Sequence, residues 1–422
     1  MVDYQLKLKP FSYSYADLTD MEHDFINYFS SINHSSISSV IDKYYHTRGP
    51  AGYGDSLILS RILKIKELFF SDRILSDKLA RNEIYRFVCL MDKNDTPAHN
   101  TYNTLRKSLG VKGFSEIHKN FVNDANRIGL INPDLPELPK NRKKGIILIA
   151  DSTFIRAYGS TKGEKQPDGT WLFKDNSLAF GRRHHKYRYP VGHKAHSLMT
   201  VTGIPVVSHI AACNIHDQYY IIPLLDEFRN RFPDFNVAYV VLDAGYDTEE
   251  IYRIIYDSYN IIPIIVRGKM VYPKEFSSDG NPKCLMGFTM SKTGIDYKRE
   301  RTKYCCKREC RKSSQELLEG CPHIHSDSPN GCIKYTQFKD NYRKFGPALP
   351  TSIIYKRLKP YRTAIERNYG LIKENRYRLE YTNTYMGFSN VHIHVIEHDI
   401  ALTQDIIYNF QRTGKISSVL KA

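Results

Sequence analysis

The chain has 422 residues, which is enough for one large hydrophobic core or for two to three smaller ones. Hydrophobic residues make up 41% and charged residues 25%, a composition that excludes a disordered chain. The formal net charge of +16 favours a polyanionic partner, while the lack of a long apolar run or a signal peptide argues against a membrane protein and predicts a cytoplasmic location.

Residues 1–140 have the pattern of a helical domain. The run from Ser56 to Phe69 places apolar residues at helical spacing, and Ser71 is a candidate N-cap for the next helix. Thr96 and Pro97 predict the start of a further helix, which Gly110 is expected to end.

That last helix carries two cations, Arg106 and Lys107. Two short helices followed by a third with basic residues are compatible with a helix-turn-helix, and the basic composition favours DNA binding. A helical bundle that only packs is the alternative.

After a linker at residues 132–144, the pattern changes to buried strands alternating with helices. GIILIAD and NVAYVVLD are apolar runs that end in an acid, and two further strands are predicted to turn at Thr202–Gly203. The order β-β-β-α-β-α-β predicts an α/β domain with a mixed sheet, formed by residues 141–267 and 350–412. Residues 268–349 are predicted to be a cysteine-rich insertion.

Asp151 and Asp243 each follow an apolar strand. In α/β sheets, ligand chemistry collects at the carboxyl ends of strands, where a carboxylate is stable when it is exposed, paired or bound to metal. One such acid is more often the cap of a turn, but two in one sheet favour a shared site.

The third candidate acid, Glu366, lies in a segment with helical periodicity. Arg362, Glu366 and Lys373 share one predicted face, with the carboxylate between two cations. Residues 338–378 contain eleven Lys and Arg but three Asp and Glu, a net charge of +8. A metal-binding carboxylate among cations suits a phosphodiester substrate.

These motifs resemble the DDE transposases of bacterial insertion sequences, which have an RNase H-like core. The resemblance rests on IADSTFIRAYG, on GIPVVSHIAACNIHD with its Asn214, His216 and Asp217, on VVLDAGYDT, and on YRTAIERNYGLIKENRYRLE. Related transposases share a signature of Tyr, Arg, Glu and Lys at the third acid. This chain has Lys359 at the Tyr position, which leaves its subgroup open.

The resemblance implies a DNA transposase in which Asp151, Asp243 and Glu366 hold two Mg²⁺ or Mn²⁺ ions. It would hydrolyse a phosphodiester at each element end and transfer the 3′-OH into target DNA, as a dimer or higher oligomer associated with the nucleoid. The alternatives are a nuclease of the same fold without strand transfer, and a non-catalytic DNA-binding derivative. The predicted DNA contacts are Arg362, Lys373, Lys359, Arg367, His184, His185, Arg106 and Lys107.

Six of the eight cysteines lie between Cys284 and Cys332. Because a small insertion without an apolar core gains stability from a metal, a structural Zn²⁺ on Cys305, Cys310, Cys321 and Cys332 is one interpretation, and free thiols are the other. His394, Glu397 and His398 match a short zinc-protease pattern, but we interpret them as packing residues.

Overall fold

The computed structural model describes residues 19–44, 53–181, 189–268, 270–306, 321, 331–363 and 377–416. The chain divides into two compact units. The first comprises residues 1–133, 148–235 and 363–422, and the second comprises residues 134–147 and 236–362. The division predicted from the sequence, into a helical N-terminal domain, an α/β domain and a cysteine-rich insertion, stays a prediction.

Six helices open the first unit: α1 Asp20–Ser30, α2 Ser35–Tyr44, α3 Asp55–Lys66, α4 Asp72–Arg81, α5 Glu83–Val88 and α6 His99–Arg127. The predicted cap at Ser71 is confirmed, since its side chain accepts a hydrogen bond from the backbone N–H of Ile74 at 3.2 Å. This helical N-terminal region is the one that the sequence predicted.

Helix α6 differs from its predicted start. It begins after Ala98, two residues later than the predicted cap Thr96, and Ala98 provides no side-chain hydrogen bond to the helix end. The predicted helix end at Gly110 is confirmed: with φ of 56° and ψ of −173° this residue is not helical, and it separates two helical segments, the second of which contains buried Phe114 and Phe121.

The described strands that follow are β1 Ile146–Arg156, whose first two residues belong to the second unit, and β2 Gly163–Lys165, β3 Trp171–Phe173, β4 Ala179–Phe180, β5 Val191–Thr200 and β6 Pro205–Ala212 of the first unit. β1, β4 and β6 all pair antiparallel with β5, while β2 and β3 form a separate ribbon. The predicted turn at Thr202–Gly203 is confirmed, and Gly203 has the positive φ of 86° that the turn requires.

The predicted alternation of helix and strand continues along the chain. A 3₁₀ turn at Asp217–Tyr219 precedes α7 Ile221–Arg231. In the second unit, β7 Val237–Leu242 and β8 Ile262–Ile265 pair in parallel and are connected by a 3₁₀ turn and α8 Glu249–Tyr259. Antiparallel and parallel pairs with flanking helices confirm the predicted mixed α/β class.

The cysteine-rich insertion contains a small sheet that the sequence did not predict. Strands β9 Ser291–Asp296, β10 Arg301–Cys305 and β11 Ile333–Gln337 pair antiparallel in the order β9–β10–β11. Each has only five or six residues and includes partly or fully exposed positions, so apolar and polar residues do not alternate clearly. Two short helices follow, α9 Tyr342–Phe345 and α10 Ile353–Leu358.

The described chain resumes with α11 Leu379–Thr382 and α12 Phe388–Thr413. Gly387, which has φ of 81°, precedes the first turn of α12. Helix α12 is buried along most of its length and packs against α3, α6 and β6. The C-terminal helix is therefore part of the core that contains the N-terminal helices.

A set of buried charges connects these helices, and we call it the Arg61 network: Arg61, Lys64, Asp72, Arg106, Tyr385 and Glu397. Arg61 donates to both carboxylate oxygens of Glu397, at 2.7 and 2.6 Å, and also pairs with Asp72. The Asp72 carboxylate accepts from Lys64 at 2.8 Å and from Arg106 at 2.7 Å.

The hydroxyl of Tyr385 completes the network. It accepts from Arg61 at 2.7 Å, from Lys64 at 2.8 Å and from Arg106 at 3.2 Å, and it lies 3.1 Å from Asp72. Burial opposes charge in this interior, but the three cations hold the pKa of Asp72 well below its usual range. Each buried cation therefore has an acceptor inside the first unit.

Candidate active site

Asp151 lies in the middle of β1, at the sixth of its eleven residues. The expectation that the strand ends at this acid is therefore wrong. Ser152 and Thr153 continue the pairing with β5 as far as Arg156, since a hydroxyl-bearing residue is compatible with a strand. The Asp151 side chain is partly exposed and accepts a hydrogen bond from the backbone N–H of Ser152 at 2.7 Å.

Polar side chains lie on both faces of the sheet around Asp151: Ser197 shares the face of Asp151, and Ser152, His196 and Lys194 lie on the other face. β5 places Ser197 opposite Asp151 and His196 opposite Ser152. Lys194, two residues before His196 and so on the same face of β5, donates to the Asp217 carboxylate at 2.9 Å. The ring of His196 stacks on Tyr220 with centroids 4.2 Å apart.

The charge states of this group follow from burial and from Lys194. Burial alone raises the pKa of Asp217, but the hydrogen bond and charge of Lys194 outweigh it, so the pKa lies below its usual value. Burial lowers the pKa of His196 to about 4, so its ring is neutral at pH 7. The sequence analysis missed Lys194 and His196. Their signal was two basic side chains at i and i+2 in a predicted strand.

Asp243 follows β7 directly, as the sequence predicted. Its carboxylate accepts from the backbone N–H of Gly245 at 2.8 Å and so caps the 3₁₀ turn Ala244–Tyr246. Asp243 therefore caps a turn, which is the alternative that was considered for a single acid at the end of a strand. One carboxylate oxygen makes this hydrogen bond, and the carboxylate remains partly exposed.

The neighbouring acid Asp247 has a different environment. Both of its carboxylate oxygens accept from Arg343, at 2.8 and 2.6 Å, and one also accepts from the backbone N–H of Gly268 at 3.0 Å. Its side chain is 5% exposed. Asp247 therefore holds α9 in place, and Asp243 is the acid of this region that is available for chemistry.

Glu366 and the predicted DNA contacts Arg367 and Lys373 lie outside the described residues, as do His184 and His185. Of the remaining contacts near the third acid, Lys359 is exposed and Arg362 is half-buried. Lys107 is exposed on α6. For all these residues, DNA binding stays a prediction.

Arg106 differs from its predicted role as a DNA contact. Its side chain is only 8% exposed, and its guanidinium donates to Asp72 and Tyr385 within the Arg61 network. A cation whose charge is satisfied inside the protein does not present itself to a phosphate. We therefore correct its assignment to a structural role, and Lys107 remains the cation of this helix turn that faces solvent.

Four of the insertion's cysteines lie near one another, since burial and the neighbouring thiols of Cys306, Cys284 and Cys321 raise the pKa of Cys332. Cys306 packs in a small buried cluster with Met290 and Tyr304, against which Cys284 and Cys332 also lie. The neighbouring Cys305 lies 3.6 Å from the Thr293 hydroxyl, and successive strand residues point to opposite faces. The predicted zinc ligand Cys310 lies outside the described residues, and Cys321 is buried.

Within the described stretches of chain, no three His, Cys, Asp or Glu side chains form a group that could hold a metal ion. Zinc on Cys305, Cys310, Cys321 and Cys332 stays a prediction, because Cys310 lies outside the described residues. The packing interpretation of His394, Glu397 and His398 is confirmed, since all three are 2% exposed and Glu397 pairs with Arg61.

Comparison with known proteins gives one family. Residues 142–395 match the family model described as "Transposase DDE domain". The solved structure of a piggyBac transposase synaptic complex with hairpin DNA is similar to 96% of this chain and 78% of that chain, at 12% identity and a TM-score of 0.32. No curated protein matches. Among the described helices, none is long and apolar enough to cross a membrane.

Proposed function

The chain belongs to the transposase DDE domain family, and from this premise we propose that it is a DNA transposase that cuts the ends of its element and joins the freed 3′-OH to target DNA. The observation that carries the proposal is the family match over residues 142–395, which includes all three candidate acids. The proposed catalytic residues are Asp151, Asp243 and Glu366.

The donor chemistry of the described acids fits Mg²⁺ or Mn²⁺. Both ions prefer carboxylate oxygens, and Asp151 and Asp243 each combine a partly exposed carboxylate with one backbone hydrogen bond. Bound metal ions would supply Lewis acidity toward a DNA phosphate and lower the pKa of an attacking water. Glu366 is proposed as the third ligand from its place in the motif.

The chain's own residues would organise the surroundings of the first acid. Lys194 keeps Asp217 ionised, and Asp217 in turn interacts with the hydroxyl of Ser152, next to Asp151. This arrangement fixes polar groups on the face of β1 opposite the Asp151 side chain. Lys359, Arg362, Arg367 and Lys373 are proposed to hold DNA phosphates near Glu366.

The test uses the full chain and labelled duplex DNA taken from both flanks of its gene, with a supercoiled plasmid as target. We expect Mg²⁺-dependent nicking at the element ends, followed by joining of the label to the plasmid. The variants Asp151→Asn, Asp243→Asn and Glu366→Gln should each lose more than about 100-fold in nicking, beyond the loss typical of a merely supporting residue. Asp234→Asn, at an exposed aspartate, is the matched control.

The possible results of this assay distinguish the proposed transposase from each alternative function. Nicking without joining identifies a nuclease of the same fold, and DNA binding without nicking identifies a non-catalytic derivative. Full nicking by Asp243→Asn contradicts the catalytic assignment.

A further inference from the structure

A row of polar side chains crosses the sheet of the first unit, beginning at Asp151. The pairing of β1 with β5 places Ser197 directly opposite Asp151, and the pairing of β5 with β6 places Ser208 directly opposite Ser197. Directly opposite residues of neighbouring antiparallel strands share one face of the sheet, with their Cβ atoms about 4.5–5.5 Å apart. Asp151, Ser197 and Ser208 therefore lie side by side on one face.

The two serine hydroxyls are hydrogen-bonded to each other. Their oxygens lie 2.8 Å apart, and either one can be the donor. Ser197 is 2% exposed and Ser208 is 3% exposed, so water does not compete for them. Because a hydroxyl has one proton to donate and two lone pairs, each serine has the capacity for a further partner beside the other serine.

Helix α12 supplies a partner for Ser208. This helix packs against β6, and the carboxyl of its residue Asp399 interacts with the Ser208 hydroxyl. Asp399 is 5% exposed, and its Oδ2 has no hydrogen-bond partner among the described residues. Burial raises the pKa of this carboxyl to about 7, although the Ser208 hydroxyl and the charge of Arg231 act to lower it. Roughly half of the molecules therefore keep the Asp399 proton at pH 7.

The two ends of this row determine the direction of its hydrogen bonds. An ionised, metal-binding Asp151 only accepts hydrogen bonds, so Ser197 has to donate to it. Ser197 then accepts from Ser208, and Ser208 accepts from the protonated carboxyl of Asp399. If Asp399 were ionised, Ser208 would donate to it, and Ser197 would have to give its proton to Ser208 instead of Asp151. The protonated form of Asp399 is therefore the one that directs the Ser197 hydroxyl to Asp151.

We propose that Ser197, Ser208 and Asp399 are positioning residues that hold the Asp151 carboxylate in the orientation that binds a metal ion. The proposal rests on the proposed function, in which Asp151 is a metal ligand. Carboxylates that bind metals are themselves held by hydrogen bonds from groups that do not touch the metal. The Asp151 carboxylate already accepts the backbone N–H of Ser152 at 2.7 Å, and Ser197 adds a donor from the neighbouring strand. Donors on two strands restrict the rotation of the carboxylate.

The test measures Mn²⁺ binding to the full chain without DNA, from the loss of the electron paramagnetic resonance signal of free Mn²⁺. This readout does not depend on cleavage. Ser197→Ala removes the donor to Asp151 and should weaken Mn²⁺ binding about 10-fold or more, as is typical for residues that orient metal ligands. Asp151→Asn removes the ligand itself and should weaken binding further.

The matched control is Thr200→Val. Thr200 forms a second buried hydroxyl pair on β5, with Thr202 at 2.7 Å, but its side chain lies on the face of the sheet opposite that of Ser197. This variant should change Mn²⁺ binding by less than about 2-fold, because its hydroxyl pair does not lead to Asp151. Urea unfolding of every variant checks that the fold is retained.

Variants farther along the row distinguish positioning from support of the fold. Ser208→Ala leaves Ser197 its proton but removes one of its anchors, so it should weaken Mn²⁺ binding less than Ser197→Ala does. Added to Ser197→Ala, it should cause no further loss, because the row is already interrupted. Asp399→Asn keeps a donor of similar shape and should bind Mn²⁺ like the parent protein, whereas Asp399→Leu should weaken binding as Ser208→Ala does.

Several results would overturn the proposal. These are unchanged Mn²⁺ binding in Ser197→Ala, an equal loss in Thr200→Val, or a further loss when Ser208→Ala is added to Ser197→Ala. An equal loss in Asp399→Asn and Asp399→Leu would show that the charge of Asp399 matters and not its proton, which contradicts the direction of the row. If Asp151→Asn weakens Mn²⁺ binding and Ser197→Ala does not, only the positioning proposal fails. If Asp151→Asn leaves Mn²⁺ binding unchanged, the proposed function is contradicted at its first metal ligand, and the positioning proposal fails with it.

Discussion

Three cations meet in the interior of the first unit, and three line a cavity in the second. In the Arg61 network, Arg61, Lys64 and Arg106 share the acceptors Asp72, Glu397 and Tyr385. In the cavity wall, Arg267, Lys356 and Lys359 lie with one acid, Asp279, and Arg267 also interacts with the carboxylate of Asp247 outside the wall. The difference shows that a positive charge count does not by itself locate a DNA surface, since part of the charge is neutralised inside the fold.

The physical reason lies in burial. A cation taken out of water must regain its lost hydration from carboxylates and hydroxyls, so buried cations are found with partners. An exposed cation keeps its hydration and remains available to a phosphate. Removing a cation from the Arg61 network should therefore lower the free energy of unfolding strongly, whereas removing a cation from the cavity wall should change it little.

The largest effect is expected for Arg61→Ala. This variant leaves the carboxylates of Glu397 and Asp72 in the interior without their shared partner, which should lower the free energy of unfolding by about 3–5 kcal/mol. Urea unfolding followed by circular dichroism measures the change. Arg81→Ala is the control, because Arg81 forms an exposed pair with Asp77 and its loss should cost about 0.5 kcal/mol or less. If Arg61→Ala and Arg81→Ala lowered the free energy of unfolding by the same small amount, the proposed difference between buried and exposed cations would be contradicted.

A smaller effect is expected for a paired acid of the first unit under acidic conditions. Glu227 interacts with His209 and Arg231, and although burial raises its pKa, these partners lower it to about 2 from an ordinary 4.5. Because the folded-state pKa is lower than the unfolded one, the pair stabilises the fold above pH 4.5 and loses this contribution as pH falls from 4.5 toward 2.

Glu227→Gln tests this dependence. Since the carboxylate is one-third exposed, we expect a loss of only about 1 kcal/mol at pH 6, reduced by solvent screening. The difference between the variant and the parent protein should narrow between pH 4.5 and pH 3, measured by urea unfolding at each pH. A difference that stays constant over this range would show that the ion pair is not its cause.

The smallest effect is expected for Arg267→Gln on stability. The variant loses one hydrogen bond, to Tyr252, and removes a charge with an unsatisfied donor, so the free energy of unfolding should change by less than about 1 kcal/mol. Urea unfolding followed by circular dichroism measures this change, so that it can be compared directly with the change in Arg61→Ala. A loss as large as that of Arg61→Ala would mean that Arg267 is a structural residue like the cations of the first unit.

Local sequence patterns determined much of the fold. The apolar run before Asp243 predicted a buried strand that ends at this acid, and Thr202–Gly203 predicted the turn between β5 and β6. The cap at Ser71 was also predicted from the sequence, because it depends on the chemistry of one residue and its immediate neighbours.

Other features depended on partners far along the chain. The sequence placed Asp151 at a strand end, but pairing with β5 extends β1 by five further residues. Arg106 has the appearance of a surface cation, yet its acceptors come from residues 34 and 279 positions away.

The sequence by itself determined the mixed α/β class, the helical N-terminal region and the candidate acids Asp151, Asp243 and Glu366, because hydrophobic periodicity and motif spacing are local. Only the tertiary structure decided which cations are neutralised within the protein and which line a cavity. The Arg61 network and the cavity at Arg267 contain the same residue types, and only folding determines which of them acquire a carboxylate partner.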